Sequence, residues 1–224
     1  MPAQAGHVYD DVAAYYTHRI LQFGATPLGV DWTCVPTQEM RFLQLLKVCD
    51  FRRPFALNDL GCGYGALLAY LDKRHRRADI DYLGLDVSPA MVAQARKLWH
   101  GRPRTVFAEG SRIARLADYS VASGIFNVKL RHSRVRWDAA VRDTLAGMHA
   151  CSRSGFAVNF LLPAGGRGPR ELYRASPAVW SRFCEREFGC ATEVLEGYGL
   201  REFTLLARKP FSSPPAAAHA PSRA

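Results

Sequence analysis

Apolar residues change their spacing twice along the chain, and the changes divide it into three parts. Between residues 8 and 50 they recur at helical intervals. VYDDVAAYYTHRILQF sets Val8, Val12, Tyr15, Tyr16, Ile20 and Phe23 on one face, and TQEMRFLQLLKV repeats the pattern behind Thr37, a candidate N-cap. The segment between them, GATPLGVDW, carries the glycines and proline of a loop. Between 51 and 209 short apolar runs alternate with helical stretches, the pattern of βαβ units around a mostly parallel sheet. Strands are predicted at 55–60, 81–86, 105–110, 118–124, 155–162, 191–196 and 202–208, and helices at 66–75, 88–99, about 137–151 and 177–188. Ser88 and Pro89 suit the cap and first position of the second of these helices. The last two strands are joined by GYGLR, which suits an antiparallel hairpin and not a crossover. Residues 210–224, largely proline, serine and alanine, have no apolar face to bury and are expected to form a disordered tail.

Composition narrows the class. A chain of 224 residues fits one α/β domain, here a helical cap over 1–50, a main domain over 51–209 and the tail over 210–224. No run approaches the roughly 18 apolar residues of a membrane helix, and MPAQAGHVYDDVAAYY has acids where a signal peptide would be basic and then apolar. A cytoplasmic protein is the expectation. The cysteines are scattered without C-x-x-C spacing or a histidine at ligand distance, so neither a metal nor a disulfide framework is expected. The formal charge of +10 is compatible with an anionic partner, but the basic runs KRHRR and KLRHSRVR contain no aromatic residue for base stacking. They read as a solvated basic face, and nucleic acid is not the expected partner.

Candidate chemistry begins where the first strand meets its helix, at Asp59-Leu60-Gly61-Cys62-Gly63-Tyr64-Gly65. Glycines there let the backbone turn sharply and let a flat cofactor approach where any Cβ would collide. The spacing of Gly61, Gly63 and Ala66 also satisfies the dinucleotide pattern, so the turn alone does not choose the cofactor. Asp59, at the strand's end, favours a cationic cofactor over a pyrophosphate, because a carboxylate can meet an ammonium group or a nearby amide and would repel a phosphate. Asp86 ends the next strand, where a carboxylate can accept both ribose hydroxyls of any nucleoside.

LNDLGCGYGALLAYL, LGLDVSPAMVAQAR and ADYSVASGIFNV, in this order and at these spacings, resemble the successive motifs of class I S-adenosylmethionine-dependent methyltransferases from about residue 37 to 209. ATPLGVDW and ASGIFNV are similar to a little-characterised bacterial branch of that family. The resemblance implies a Rossmann-like seven-stranded sheet in the order 3-2-1-4-5-7-6, the last strand antiparallel, with helices on both faces. It also implies S-adenosyl-L-methionine at the carboxyl ends of the strands, around Asp59, Gly61, Cys62, Gly63, Gly65, Asp86, Val87, Ser111 and Ser123. Ser111 stands where many relatives place an aspartate on the adenine amino group, so this chain departs from the pattern at that contact.

The acceptor side rests on fewer signals. The loop after the fourth strand opens onto the site in such sheets, which makes Phe126, Asn127 and Lys129 candidates to face the substrate and His132 a candidate general base, with a surface histidine as the alternative. Trp32 and Arg41 are candidates for a lid, tryptophan against the ligand and arginine on its carboxylate; core packing and a surface salt bridge are the alternatives. SGIFNV stands where an N-P-P-Y motif for exocyclic amines would be, which disfavours that acceptor. The resulting expectation is a methyltransferase acting on a small or medium-sized metabolite. A methyltransferase fold kept as a non-catalytic binder of an anionic partner is the other reading.

Overall fold

The computed structural model describes residues 3–164 and 169–210. The predicted tail therefore lies almost wholly outside the described residues. The strands are β1 (Phe55–Leu60), β2 (Ile80–Asp86), β3 (Thr105–Glu109), β4 (Ala117–Ala122), β5 (Ser152–Leu161), β6 (Ala191–Leu195) and β7 (Glu202–Arg208). They form one sheet in the order β3-β2-β1-β4-β5-β7-β6. The first five are mutually parallel, and β7 runs antiparallel to both β5 and β6. This is the strand order, with an antiparallel last strand, that the resemblance implies.

Side-chain alternation explains why helices cover both faces. Along β5, Phe156, Val158 and Phe160 enter one apolar cluster and Ala157 the other; along β7, Phe203, Leu205 and Ala207 oppose Leu206 in the same way. A strand apolar on both sides must be covered on both sides. The first cluster packs against α5 (Arg134–Ala150) and α6 (Pro177–Phe188), through Val141, Leu145, Met148 and Trp180. The second packs against α2 (Val35–Leu45), α3 (Ala66–Arg74) and α4 (Pro89–Leu98), through Phe42, Leu45, Leu67, Leu71 and Val92. Burying each such side chain is worth about 1.5–3 kcal/mol.

Three element boundaries differ from the expected ones. Thr37 is not the cap of α2: the helix starts at Val35 behind Cys34, and the Thr37 hydroxyl donates back to the Cys34 carbonyl at 2.9 Å. Pro36 supplies the preset first-turn angle that makes the earlier start favourable. Helix α5 starts at Arg134, inside the basic run, because Ser133 caps it by accepting the Arg136 amide at 3.3 Å. A run of arginines is no obstacle to a helix once a cap precedes it. Strand β5 starts at Ser152, three residues before the predicted position. Ser88 does cap α4, accepting the Met91 amide at 3.3 Å.

Helix α1 (Ala3–Phe23) is longer than its periodic stretch and packs against both α4 and α5. Its Thr17 hydroxyl lies 2.7 Å from that of Ser88, and its Tyr9 hydroxyl 3.1 Å from that of Thr144 on α5. The helix thus bridges the carboxyl ends of β2 and β4. Among the described residues no helix is long and apolar enough to cross a membrane.

Candidate active site

The turn after β1 is tied to the sheet before it turns: the Gly61 and Cys62 amides donate to the Leu85 carbonyl at 2.7 and 3.0 Å. Gly63 then adopts φ +55°, and a Cβ there would lie 3.1 Å from Val30 at the face of a cavity. A side chain at this point would be strained and would intrude on the space a ligand needs. The cavity holds about 1050 Å³, open solvent at its mouth included. The turn and the ends of β1, β2 and β4 form its floor, Val30 and Trp32 one side, and α1 and α5 the other.

Two carboxyls are buried in that floor. Asp86 accepts the Gly63 amide at 2.8 Å and the Ser88 amide at 2.9 Å, so it braces the turn as well as facing the cavity. Desolvation pushes its pKa up to about 6, against the pull of the backbone amides of Ser88 and Gly63. Asp59 accepts the Tyr82 hydroxyl at 2.5 Å. Its burial raises its pKa to about 7; the Tyr82 hydrogen bond works against this and the charge of Asp86 adds to it. Two acids held near neutrality in one cavity are poised to ionise when a positive group arrives.

Ten of the residues singled out from sequence line the cavity: Trp32, Asp59, Gly61, Cys62, Gly63, Asp86, Val87, Ser111, Ser123 and Phe126. Ser123 Oγ is buried there without a hydrogen-bond partner, which marks it as a group awaiting one. Four others lie outside the lining. Gly65 supports the turn from behind, where the Trp99 indole packs on it and donates to the Tyr64 carbonyl at 3.2 Å. Asn127 is buried behind the β4 loop, beside Gly124. Lys129 turns its ammonium to the carbonyl of His132 at 3.1 Å. His132 pairs with Asp11 of α1 at 3.0 Å and stacks on Trp137, so its ring is held between the β4 loop and α1.

Trp32 and Arg41 do meet, though not in the predicted way. The guanidinium lies 3.6 Å from the Trp32 ring centroid, and its Nε and Nη2 donate to the two oxygens of Glu202 at 2.7 and 2.5 Å. Both charged side chains are buried, so this is an interior ion pair and not a surface bridge. The opposite edge of the indole lies against Gly124, where a Cβ would overlap the ring. Arg41 therefore acts on the cavity through Trp32.

Sequence reasoning missed Tyr9, Gln38, Tyr64, Met91 and Thr144, which also line the cavity. Gln38 and Tyr64 come together only because α2 packs beside the turn, the Tyr64 hydroxyl donating to the Gln38 carbonyl oxygen at 3.5 Å. Tyr64 stands inside the glycine turn and Gln38 at the start of α2, and nothing in either local pattern signals that the two side chains meet. Tyr82 was equally silent, because its role depends on reaching across from β2 to Asp59.

Residues 58–146 match the model of a methyltransferase domain family. A Mycobacterium tuberculosis protein provisionally named a methyltransferase is 44% identical over 166 residues, covering 73% of this chain and 99% of the relative. The malonyl-[acyl-carrier protein] O-methyltransferase of Pseudescherichia vulneris is 30% identical over 144 residues, but the match spans only 53% of that protein. Among solved structures, the magnesium protoporphyrin IX methyltransferase of Synechocystis aligns with TM-score 0.60 at 12% identity, over 90% of this chain and 99% of that one. An S-adenosylmethionine-dependent methyltransferase of Corynebacterium glutamicum aligns with TM-score 0.58 at 18% identity, over 88% and 100%. At such identities the structures speak for the fold. With the family match and the 44% identical relative they establish that the chain belongs to the class I S-adenosylmethionine-dependent methyltransferases.

Proposed function

We propose that this chain transfers a methyl group from S-adenosylmethionine to a small or medium-sized metabolite, in the cavity between the glycine turn and helix α1. The observation that carries the reading is the pair of buried carboxyls, Asp59 and Asp86, raised to about 7 and about 6 and lining one cavity together with the glycine turn. When bound, the cofactor would supply a methyl carbon activated by its sulfonium, open to an acceptor's lone pair with the carbon–sulfur bonding electrons left on sulfur; the acceptor's proton would be lost to bulk water as the product leaves.

The residues present fit that cofactor. Asp86 offers ribose hydroxyls a carboxylate whose orientation the Gly63 and Ser88 amides already fix. Asp59 provides the negative charge that draws a cationic ligand to the turn. Val87 and Met91 offer apolar surface to the base, and Ser111 and Ser123 offer hydroxyls in place of the missing aspartate. Gln38 is placed to donate its amide to the cofactor's carboxylate, a task Arg41 cannot take while Glu202 holds it. Helix α1 and the Trp32 segment serve as a cap that excludes water and aligns the two reactants. Alignment of this kind supplies roughly 7–11 kcal/mol of a barrier.

Basic side chains occur at both ends of the sheet. Lys47, Arg52, Arg53, Arg153 and Arg208 surround a cleft at the amino ends of the strands, while Lys129, Arg131 and Arg134 follow β4 at the carboxyl edge. A charge divided in this way gives no support to the alternative of a non-catalytic binder of one large anion. The free thiols Cys34, Cys49, Cys62, Cys151, Cys184 and Cys190 suit a reducing compartment, and we place the activity in the cytoplasm. The test is thermal unfolding with cofactor, followed by transfer of labelled methyl groups into metabolite extracts. S-adenosylmethionine and S-adenosylhomocysteine should raise the melting temperature, by about 2.7 kcal/mol of stability at 100 times the dissociation constant. Stabilisation by nicotinamide nucleotides alone would overturn the proposal.

A further inference from the structure

The wall that α1 and α5 present to the cavity is apolar. Val8 and Val12 come from α1, Trp137 and Ala140 from α5, and Ile125 and Phe126 from the loop after β4. Its polar groups are the uncharged hydroxyls of Tyr9, Tyr16 and Thr144, and those of Tyr9 and Thr144 lie 3.1 Å apart and satisfy each other. The Trp137 indole N–H is likewise engaged, donating to the Phe126 carbonyl at 3.0 Å. Despite the formal charge of +10, the residues lining the cavity among those described include no lysine, arginine or histidine. The ionisable groups at its floor are two carboxyls of one sign. Lys129 and His132 stand close in the chain yet direct their polar atoms to a backbone carbonyl and to Asp11.

An anionic acceptor entering beside the cofactor would leave water for an apolar wall and find no lysine, arginine or histidine on it to pair with. Burial of an unpaired charge is strongly opposed. An uncharged molecule with an apolar ring or chain does not meet that obstacle and gains from every Å² it buries. We infer that the methyl acceptor is an uncharged, predominantly apolar molecule held between α1 and α5, carrying a neutral hydroxyl, thiol or amine as its nucleophile. This rests on the methyltransferase reading and deepens it by naming the acceptor class.

Para-cresol and para-toluate test the inference, because they share one ring and differ in hydroxyl against carboxylate. Binding of S-adenosylhomocysteine is first established by calorimetry on the full chain; its absence would count against the methyltransferase reading itself. The loaded protein is then titrated with each probe at pH 8. Para-cresol should bind in the millimolar range or tighter, and para-toluate at least tenfold more weakly. Ala140→Phe, which fills the wall, should weaken para-cresol at least tenfold while the affinity for S-adenosylhomocysteine stays within threefold. Val12→Phe asks the same from α1 should the first variant fail to fold. Equal or tighter binding of para-toluate would overturn the inference, as would no measurable para-cresol binding to the loaded protein. An affinity for para-cresol unchanged in the folded variants would do so too.

Discussion

Lowering the pH should weaken cofactor binding, and the structure sets the size of the effect. Asp86 and Asp59 have pKa values of about 6 and about 7 in the free protein, and both must be ionised to serve a cationic nucleoside. If the bound cofactor holds both well below 5, affinity at pH 5 falls about tenfold through Asp86 and about a hundredfold more through Asp59, relative to pH 8. The same shifts act on folding in the opposite sense. Both folded pKa values exceed the ordinary 3.8, so the stability these groups contribute is fully present below about pH 4 and is lost as the pH rises through 6 and 7. Cofactor should therefore raise the melting temperature most on the alkaline side. Calorimetric titration of S-adenosylmethionine between pH 5 and 8 measures the first effect, with Asp59→Asn removing the larger part of the slope. Asn keeps an acceptor for the Tyr82 hydroxyl, so the variant changes charge more than shape. An affinity flat across this range in the wild-type protein would refute the reasoning, since no ionisation would then be linked to binding.

Other perturbations test the scaffold of the site. Gly124→Val puts a side chain at φ +74° into the Trp32 ring and should cost about 1–3 kcal/mol, read as a drop of several degrees in melting temperature. Arg41→Met strands a buried Glu202 and should cost about 3–5 kcal/mol in denaturant unfolding, whereas adding Glu202→Leu should recover most of the loss. Deleting residues 1–33 removes Tyr9, Val12, Tyr16 and Trp32 from the cavity while leaving Cys34 to cap α2. Labelled-methyl transfer should then be lost although circular dichroism retains the sheet, and a truncated protein of full activity would show that α1 has no part in the reaction.

Local physics left a legible record in the sequence. The period of the apolar residues distinguished strands from helices, GYGLR was too short for anything but a hairpin, and the clustered glycines at Gly61 and Gly63 with Asp59 and Asp86 at strand ends marked the turn that lines the cavity. Each of these depends on residues within a few positions of one another or on a fixed spacing between strand ends. What only the tertiary structure decided depends on residues far apart in the chain. Arg41 and Glu202 are 161 positions apart, so their pairing had no local signature. His132 has the chemistry of a base, and only the packing of α1 beside the β4 loop assigned its ring to Asp11. Val8, Val12 and Ala140 looked like ordinary core positions of two amphipathic helices. They become the wall of a cavity because α1 crosses from α4 to α5 over the strand ends. An apolar side chain is the same in a core and in a binding site; which of the two it lines is settled by where the elements come to rest.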